Sequence, residues 1–125
     1  MATKQAKKIM IIEDDSFSLK LYASYLEKEG FAVIATPQAD EVLRLAKQAK
    51  PNLFIVDLML QGGDGFILVD KIRHTAGFKN TPIIVLSNLG QDSDITRAKK
   101  LGANKYFIKS NVRFQEVVDT VRELV

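Results

Sequence analysis

Four short apolar runs in this chain each stop at a side chain that can bind a cation, attack an electrophile or neutralise an anion. Lys8–Ile12 runs into Glu13 and Asp14, Leu53–Val56 into Asp57, Ile83–Leu86 into Ser87, and Tyr106–Ile108 into Lys109. If these runs are parallel strands lying side by side, all those groups fall on one edge of the sheet, where open α/β folds bind ligands. The runs are apolar throughout rather than alternating, as expected of strands covered by helices on both faces.

The intervening segments carry helical periodicity. Leu19, Tyr22 and Leu26 share one face of a first helix that Gly30 should stop, and Phe31–Ala35 reads as a second strand. Val42, Leu43 and Ala46 mark a second helix closed by Pro51. Gln61-Gly62-Gly63-Asp64-Gly65 is rich in turn residues and precedes a third helix carrying Phe66, Val69 and Ile72. Pro82 opens the next strand. Ile95, Ala98 and Leu101 give a fourth helix with Gly102 as its left-handed cap, and Phe114, Val117, Val118, Val121 and Val125 form the seam of a fifth. Five strands alternating with five helices predict a doubly wound α/β fold on a five-stranded parallel sheet, with right-handed crossovers.

Composition removes several alternatives. At 125 residues the chain fits one domain, with residues 1–7 expected as a flexible N-terminal segment and 8–125 as the folded unit. No cysteine is present, so disulfides, thiolate catalysis and cysteine-type zinc sites are excluded and any metal must be held by oxygen. The net charge is +3, but basic residues are interspersed with Asp and Glu, which argues against direct nucleic-acid binding. There is no apolar run of transmembrane length and the first residues lack the apolar segment of a secretion signal, so a cytoplasmic location without a membrane partner is expected.

The acidic pair Glu13-Asp14, the strand-end Asp57 followed by Asp64-Gly65, then Ser87, Tyr106 and Lys109 are individually common. Their order and spacing together resemble a response-regulator receiver domain of two-component signalling, chemotaxis regulators included, from Lys8 to the C-terminus. The resemblance implies a flavodoxin-like strand order 2-1-3-4-5. It also implies that Asp57 accepts a phosphoryl group from the histidine of a sensor kinase or phosphotransfer protein. On this reading the chain catalyses its own phosphorylation and dephosphorylation rather than acting on a separate substrate.

The chemistry sets a charge problem. Asp57 must be ionised to attack phosphorus, yet two like charges about 5 Å apart repel by roughly 3 kcal/mol at an effective dielectric of 20. A cation must bridge, and Mg2+ suits a site of carboxylates, waters and a substrate oxygen. Asp14, Asp57 and the backbone carbonyl of Met59 are the expected direct ligands, with Glu13 acting through water. Lys109 is expected to pair with Asp57 before transfer and with a phosphate oxygen afterwards. Ser87 is expected to donate its hydroxyl to phosphate, drawing its loop inward and opening space for the Tyr106 ring. The fourth helix, fifth strand and fifth helix would then present an altered surface to a downstream output protein or domain, with homodimerisation through the last helices as a further option.

Taken singly, these residues have plainer readings. Glu13-Asp14-Asp15 before a helix suits capping, with Asp15 or Ser16 as the cap; Tyr106 suits any strand; His74 suits a helix C-terminus. A phosphatase of the haloacid-dehalogenase type would carry a second aspartate where Met59 stands, and a nucleotide or flavin carrier would need a Gly-rich loop in place of Glu13-Asp14. An interaction domain without phosphotransfer is the third alternative. It draws on departures from the resemblance: Ser110 where many receivers have a cis-proline, Gln61 in place of another proline, and Asn88 where a small residue is usual. Met59 and Leu89 are apolar where fast-hydrolysing relatives place polar groups, so slow loss of phosphate is expected.

Overall fold

The computed structural model describes residues 5–61 and 63–125. Strands β1 (Lys8–Ile12), β2 (Ala32–Thr36), β3 (Leu53–Val56), β4 (Ile83–Ser87) and β5 (Lys105–Ile108) alternate with helices α1 (Ser16–Lys28), α2 (Val42–Ala49), α3 (Gly65–Arg73), α4 (Asp92–Leu101) and α5 (Phe114–Leu124). The five strands form one parallel sheet in the order β2-β1-β3-β4-β5, the flavodoxin-like arrangement. Of the expected N-terminal segment, residues 1–4 lie outside the described residues, and Gln5–Lys7 are exposed and without regular structure.

The period-2 geometry of each strand divides the core into two layers. Met10, Ile12, Phe54, Val56, Ile83 and Val85 face α2, α3 and α4, packing with Val42, Val69, Ile72 and Ala98. Ile9, Ile11, Leu53, Ile55, Ile84 and Leu86 face α1 and α5, packing with Tyr22, Leu26, Val117, Val118 and Val121. Both faces are covered, which is why no strand alternates.

Helix ends follow the expected chemistry with one instructive shift. The Asp15 carboxylate caps α1, accepting the Ser18 N–H at 3.2 Å and its hydroxyl at 2.7 Å. At the other end Gly30 sits at φ +96°, and the N–H groups of Gly30 and Phe31 donate back to the Glu27 and Leu26 carbonyls, each at 3.1 Å. Phe31 therefore closes α1 and cannot open β2, which starts at Ala32 rather than at Phe31 as its apolar character suggested. Gly102, at φ +123°, ends α4 in the same way, as expected. Across the glycine-rich stretch Met59–Leu60 pairs antiparallel with Gly63–Asp64, while Gly62 lies outside the described residues.

The sheet edge remote from the polar strand ends is locked by Arg73, the last residue of α3. Its Nη1 donates to the carbonyls of Phe78 (3.0 Å), Lys79 (3.0 Å) and Thr81 (2.8 Å), and its Nη2 to the Gly102 carbonyl (2.7 Å) and Asn104 Oδ1 (3.0 Å). Asn104 Oδ1 also accepts the Ile83 N–H at 2.9 Å, so one guanidinium ties α3 to the segments that start β4 and β5. Charge-assisted bonds whose acceptors lose their partner are costly. Arg73→Met is therefore expected to lower the unfolding free energy by about 2–4 kcal/mol in urea titration. A loss under about 1 kcal/mol would show that water replaces the guanidinium without penalty.

Candidate functional site

The parallel ladder runs one hydrogen bond past β1, β3 and β5, and this places the polar groups. The Asp57 N–H donates to the Ile12 carbonyl at 3.0 Å, the Glu13 N–H to Thr36 at 3.2 Å, and the Lys109 N–H to Ser87 at 2.8 Å. Backbone pairing therefore fixes the Cα positions of Glu13, Asp57 and Lys109 before any side chain interacts. A further constraint comes from Gly65: a Cβ there would stand 2.5 Å from the Asp57 carbonyl oxygen and 2.3 Å from the Leu58 Cα, so only glycine lets α3 begin against this loop.

Lys109 joins the two buried acids. Its Nζ donates to Glu13 Oε1 at 2.9 Å and to Asp57 Oδ2 at 3.1 Å, while Asp57 Oδ1 accepts the Met59 N–H at 3.0 Å. Glu13 and Asp57 are 5% and 6% exposed, so water screens neither charge well. Burial, reinforced by the neighbouring Asp57 carboxyl, pushes the Glu13 pKa up to about 8. Burial would raise Asp57 as well, but hydrogen bonds from Glu13, from the Met59 N–H and from Lys109 outweigh it and hold Asp57 below the usual aspartate range. Lys109 is shifted upward: burial alone would lower it, and the Glu13 and Asp57 carboxylates overcome that effect. The directions of these shifts favour the proton on Glu13 and the negative charge on Asp57. The favoured anion is the residue at the end of the central strand.

Asp14 completes the acidic group. Its Oδ2 accepts the Gln61 N–H at 3.0 Å, and one carboxylate oxygen from each of Glu13, Asp14 and Asp57 lies within 4.8 Å of the others. Three converging oxygen donors without nitrogen or sulfur form a candidate site for a hard divalent cation. The Met59 side chain is 54% exposed at the mouth, and its N–H already serves Asp57.

Ser87 is fully buried at the end of β4, and its Oγ accepts the Leu89 N–H at 3.4 Å. Among the described residues no hydrogen bond joins the Ser87 hydroxyl to the acids or to Lys109. Tyr106 is half-buried against the α2–α4 layer, and its hydroxyl donates to the Leu89 carbonyl. The Tyr106 phenol is therefore already bonded to the loop that it was expected to follow. Leu89 links Ser87 to Tyr106 through its two backbone groups, a role that no side-chain signal announces. The peptide bonds among the described residues are all trans, including the one between Lys109 and Ser110. His74 caps the C-terminus of α3, with its Nδ1 3.1 Å from an Asp70 carboxylate oxygen, as its position after a helix suggested.

This geometry agrees with what the chain resembles. A family model for the response regulator receiver domain matches residues 9–122. The transcriptional regulatory protein ResD of Bacillus subtilis is 30% identical over 102 residues, covering 82% of this chain but only 41% of ResD. The chain thus spans about two fifths of that relative. The BeF3-activated N-terminal receiver domain of Klebsiella pneumoniae RstA superposes with a TM-score of 0.86 at 29% identity, over 94% of this chain and 97% of that one. The chemotaxis protein CheY4 of Vibrio cholerae shares the fold, with a TM-score of 0.90 at 21% identity over 97% of this chain and 100% of that one.

The raised Glu13 pKa has a direct consequence for stability. Between its unfolded value of 4.5 and its folded value of about 8, the native state holds a proton that the unfolded chain has released. The associated stabilisation is complete below the lower value and is lost as pH rises through the upper one. With divalent ions chelated, Glu13→Gln is expected to gain stability relative to wild type as pH rises from about 5 to about 9. Paired urea titrations check this, and a wild-type-to-variant difference that stays flat across the range would contradict the assignment of the proton to Glu13.

Proposed function

Because the chain belongs to the response-regulator receiver family, we propose that it is a phosphorylation-controlled signalling module. Asp57 is its acceptor, and the phosphohistidine of a sensor kinase or phosphotransfer protein is its donor. The observation that carries this reading is the buried Asp57 carboxylate, kept ionised between the Met59 N–H and Lys109 with two further acids beside it. An Asp57 oxygen forms the bond to phosphorus while the phosphorus–nitrogen bond breaks and the imidazole leaves. Mg2+ held by Asp14, Asp57, the Met59 carbonyl and, through water, Glu13 would supply charge neutralisation at the phosphoryl oxygens.

The remaining steps belong to the chain's own side chains. Lys109, paired with Asp57 before transfer, can keep a donor hydrogen bond by passing to a phosphate oxygen. Ser87 can donate its hydroxyl to a second phosphate oxygen. Its Oγ holds the Leu89 N–H, and the Leu89 carbonyl holds Tyr106, so a shift of Ser87 acts on both partners. We take this relay to reshape the α4, β5 and α5 surface that meets an output protein or domain. The activated state recorded for the RstA receiver and the regulator role of ResD support the reading. A cytoplasmic setting follows from a kinase partner, and no helix among the described residues is long and apolar enough to cross a membrane.

Incubation with Mg2+ and acetyl phosphate is expected to add one phosphoryl mass to wild type and none to Asp57→Asn. Equal gain in both would remove Asp57 from its role, and no gain in wild type would remove the phosphotransfer reading. The exposed Met59 and the half-buried Leu89 offer no acceptor to orient water. Met59→Asn and Leu89→Glu should therefore speed loss of phosphate by about tenfold each in a chase measured by intact mass. Unchanged decay in both would show that water is oriented by other groups.

A further inference from the structure

An open groove beside the site is lined by Asp14, Met59, Gln61, Asp64, Phe66 and Arg97, among others, and Arg97 is its only cation among the described residues. The Arg97 guanidinium carbon stands 4.2 Å from the centre of the Phe66 ring. Phe66 is buried and directly follows Gly65, whose backbone lies against Asp57 and Leu58. The ring is therefore a platform anchored to the acceptor loop. Among the described residues Arg97 takes part in no ion pair, the salt bridges all joining other groups. Stacking uses the face of a guanidinium and leaves its N–H edge free for an anion.

The other charged groups on the groove, Asp14 and Asp64, are acidic and repel an anion leaving through it. Arg97 is the counterweight. We propose that Arg97 is a specificity-determining residue that favours small acyl phosphates as phosphoryl donors over donors whose leaving group departs as a neutral amine. The inference rests on Asp57 being the acceptor. With an acyl phosphate, an Asp57 oxygen bonds to phosphorus, the bond from phosphorus to the acyl oxygen breaks, and its electron pair departs on a carboxylate without proton transfer. Negative charge grows on the outgoing oxygen, on the side away from Asp57. With phosphoramidate the phosphorus–nitrogen bond breaks and the already protonated nitrogen leaves as neutral ammonia. A nearby cation stabilises the first departure and does little for the second.

Rates of phosphoryl gain, followed by intact mass at saturating Mg2+, separate this role from packing alone. An exposed charge pair is worth a factor of up to about five. Arg97→Met is expected to slow transfer from acetyl phosphate about threefold to fivefold and to leave transfer from phosphoramidate unchanged. Arg97→Lys should restore most of the difference, and raised salt should compress the ratio of the two wild-type rates. An equal fall with both donors would assign Arg97 to packing of α4 on α3 and overturn the proposal, as would no fall with either. If wild type accepts from neither donor, the acceptor reading itself has failed. If wild type accepts from both and Arg97→Met keeps their ratio, only the present inference has failed.

Discussion

The site depends on one ammonium group placed between two carboxylates that the fold has removed from water. Glu13 and Asp57 are brought together by neighbouring strands whose burial serves the core, not the acids. Without Lys109 both would face the cost of an unpaired buried charge, and proton uptake by each would be the cheapest response. With Lys109 donating to both, one charge is retained and one proton is kept. The asymmetry has a local cause. Asp57 has the additional N–H of Met59 and Glu13 lacks an equivalent among the described residues, which favours the charge on Asp57. A single backbone hydrogen bond thereby distinguishes two otherwise similar buried acids.

That arrangement was legible in the sequence to an unusual degree, because the chemistry sits where periodicity ends. A buried parallel strand tolerates no polar side chain in its interior, so the first polar residue after each apolar run marks the sheet edge. Glu13, Asp57 and Lys109 are all found there, held one backbone bond beyond the ladder. The expected cap at Asp15 and stops at Gly30 and Gly102 follow from the same local rules.

What could not be read depends on backbone groups or on tertiary placement. Phe31 has the character of a strand residue, yet its N–H is committed to closing α1. The pairing of Met59–Leu60 with Gly63–Asp64 is hidden because a glycine-rich stretch carries no hydrophobic alternation. Leu89 links Ser87 to Tyr106 only through its N–H and carbonyl, which every residue except proline possesses. Arg97 looks like any solvated arginine until the packing of α4 on α3 sets it above Phe66. The upward shift of Glu13 comes from burial beside Asp57, which only the three-dimensional fold creates.

The division of burial among the helices bears on how a change at Asp57 could travel. Helix α3 buries Phe66, Leu68, Val69 and Ile72 in the core, and α5 buries Val117, Val118 and Val121. Helix α4 contributes only Ala98 as a fully buried side chain over its ten residues. Burying an aliphatic side chain is worth about 1.5–3 kcal/mol, so α3 is held by several full terms of this kind and α4 by Ala98 and the partly buried Leu101. A rearranged hydrogen bond or displaced charge at the site supplies only a few kcal/mol. That is small beside the burial that holds α3, whose first residue Gly65 lies against Asp57 and Leu58, and closer in size to the burial that holds α4. The less deeply anchored of the two helices is thus the one whose preceding loop is bonded to Ser87 and Tyr106.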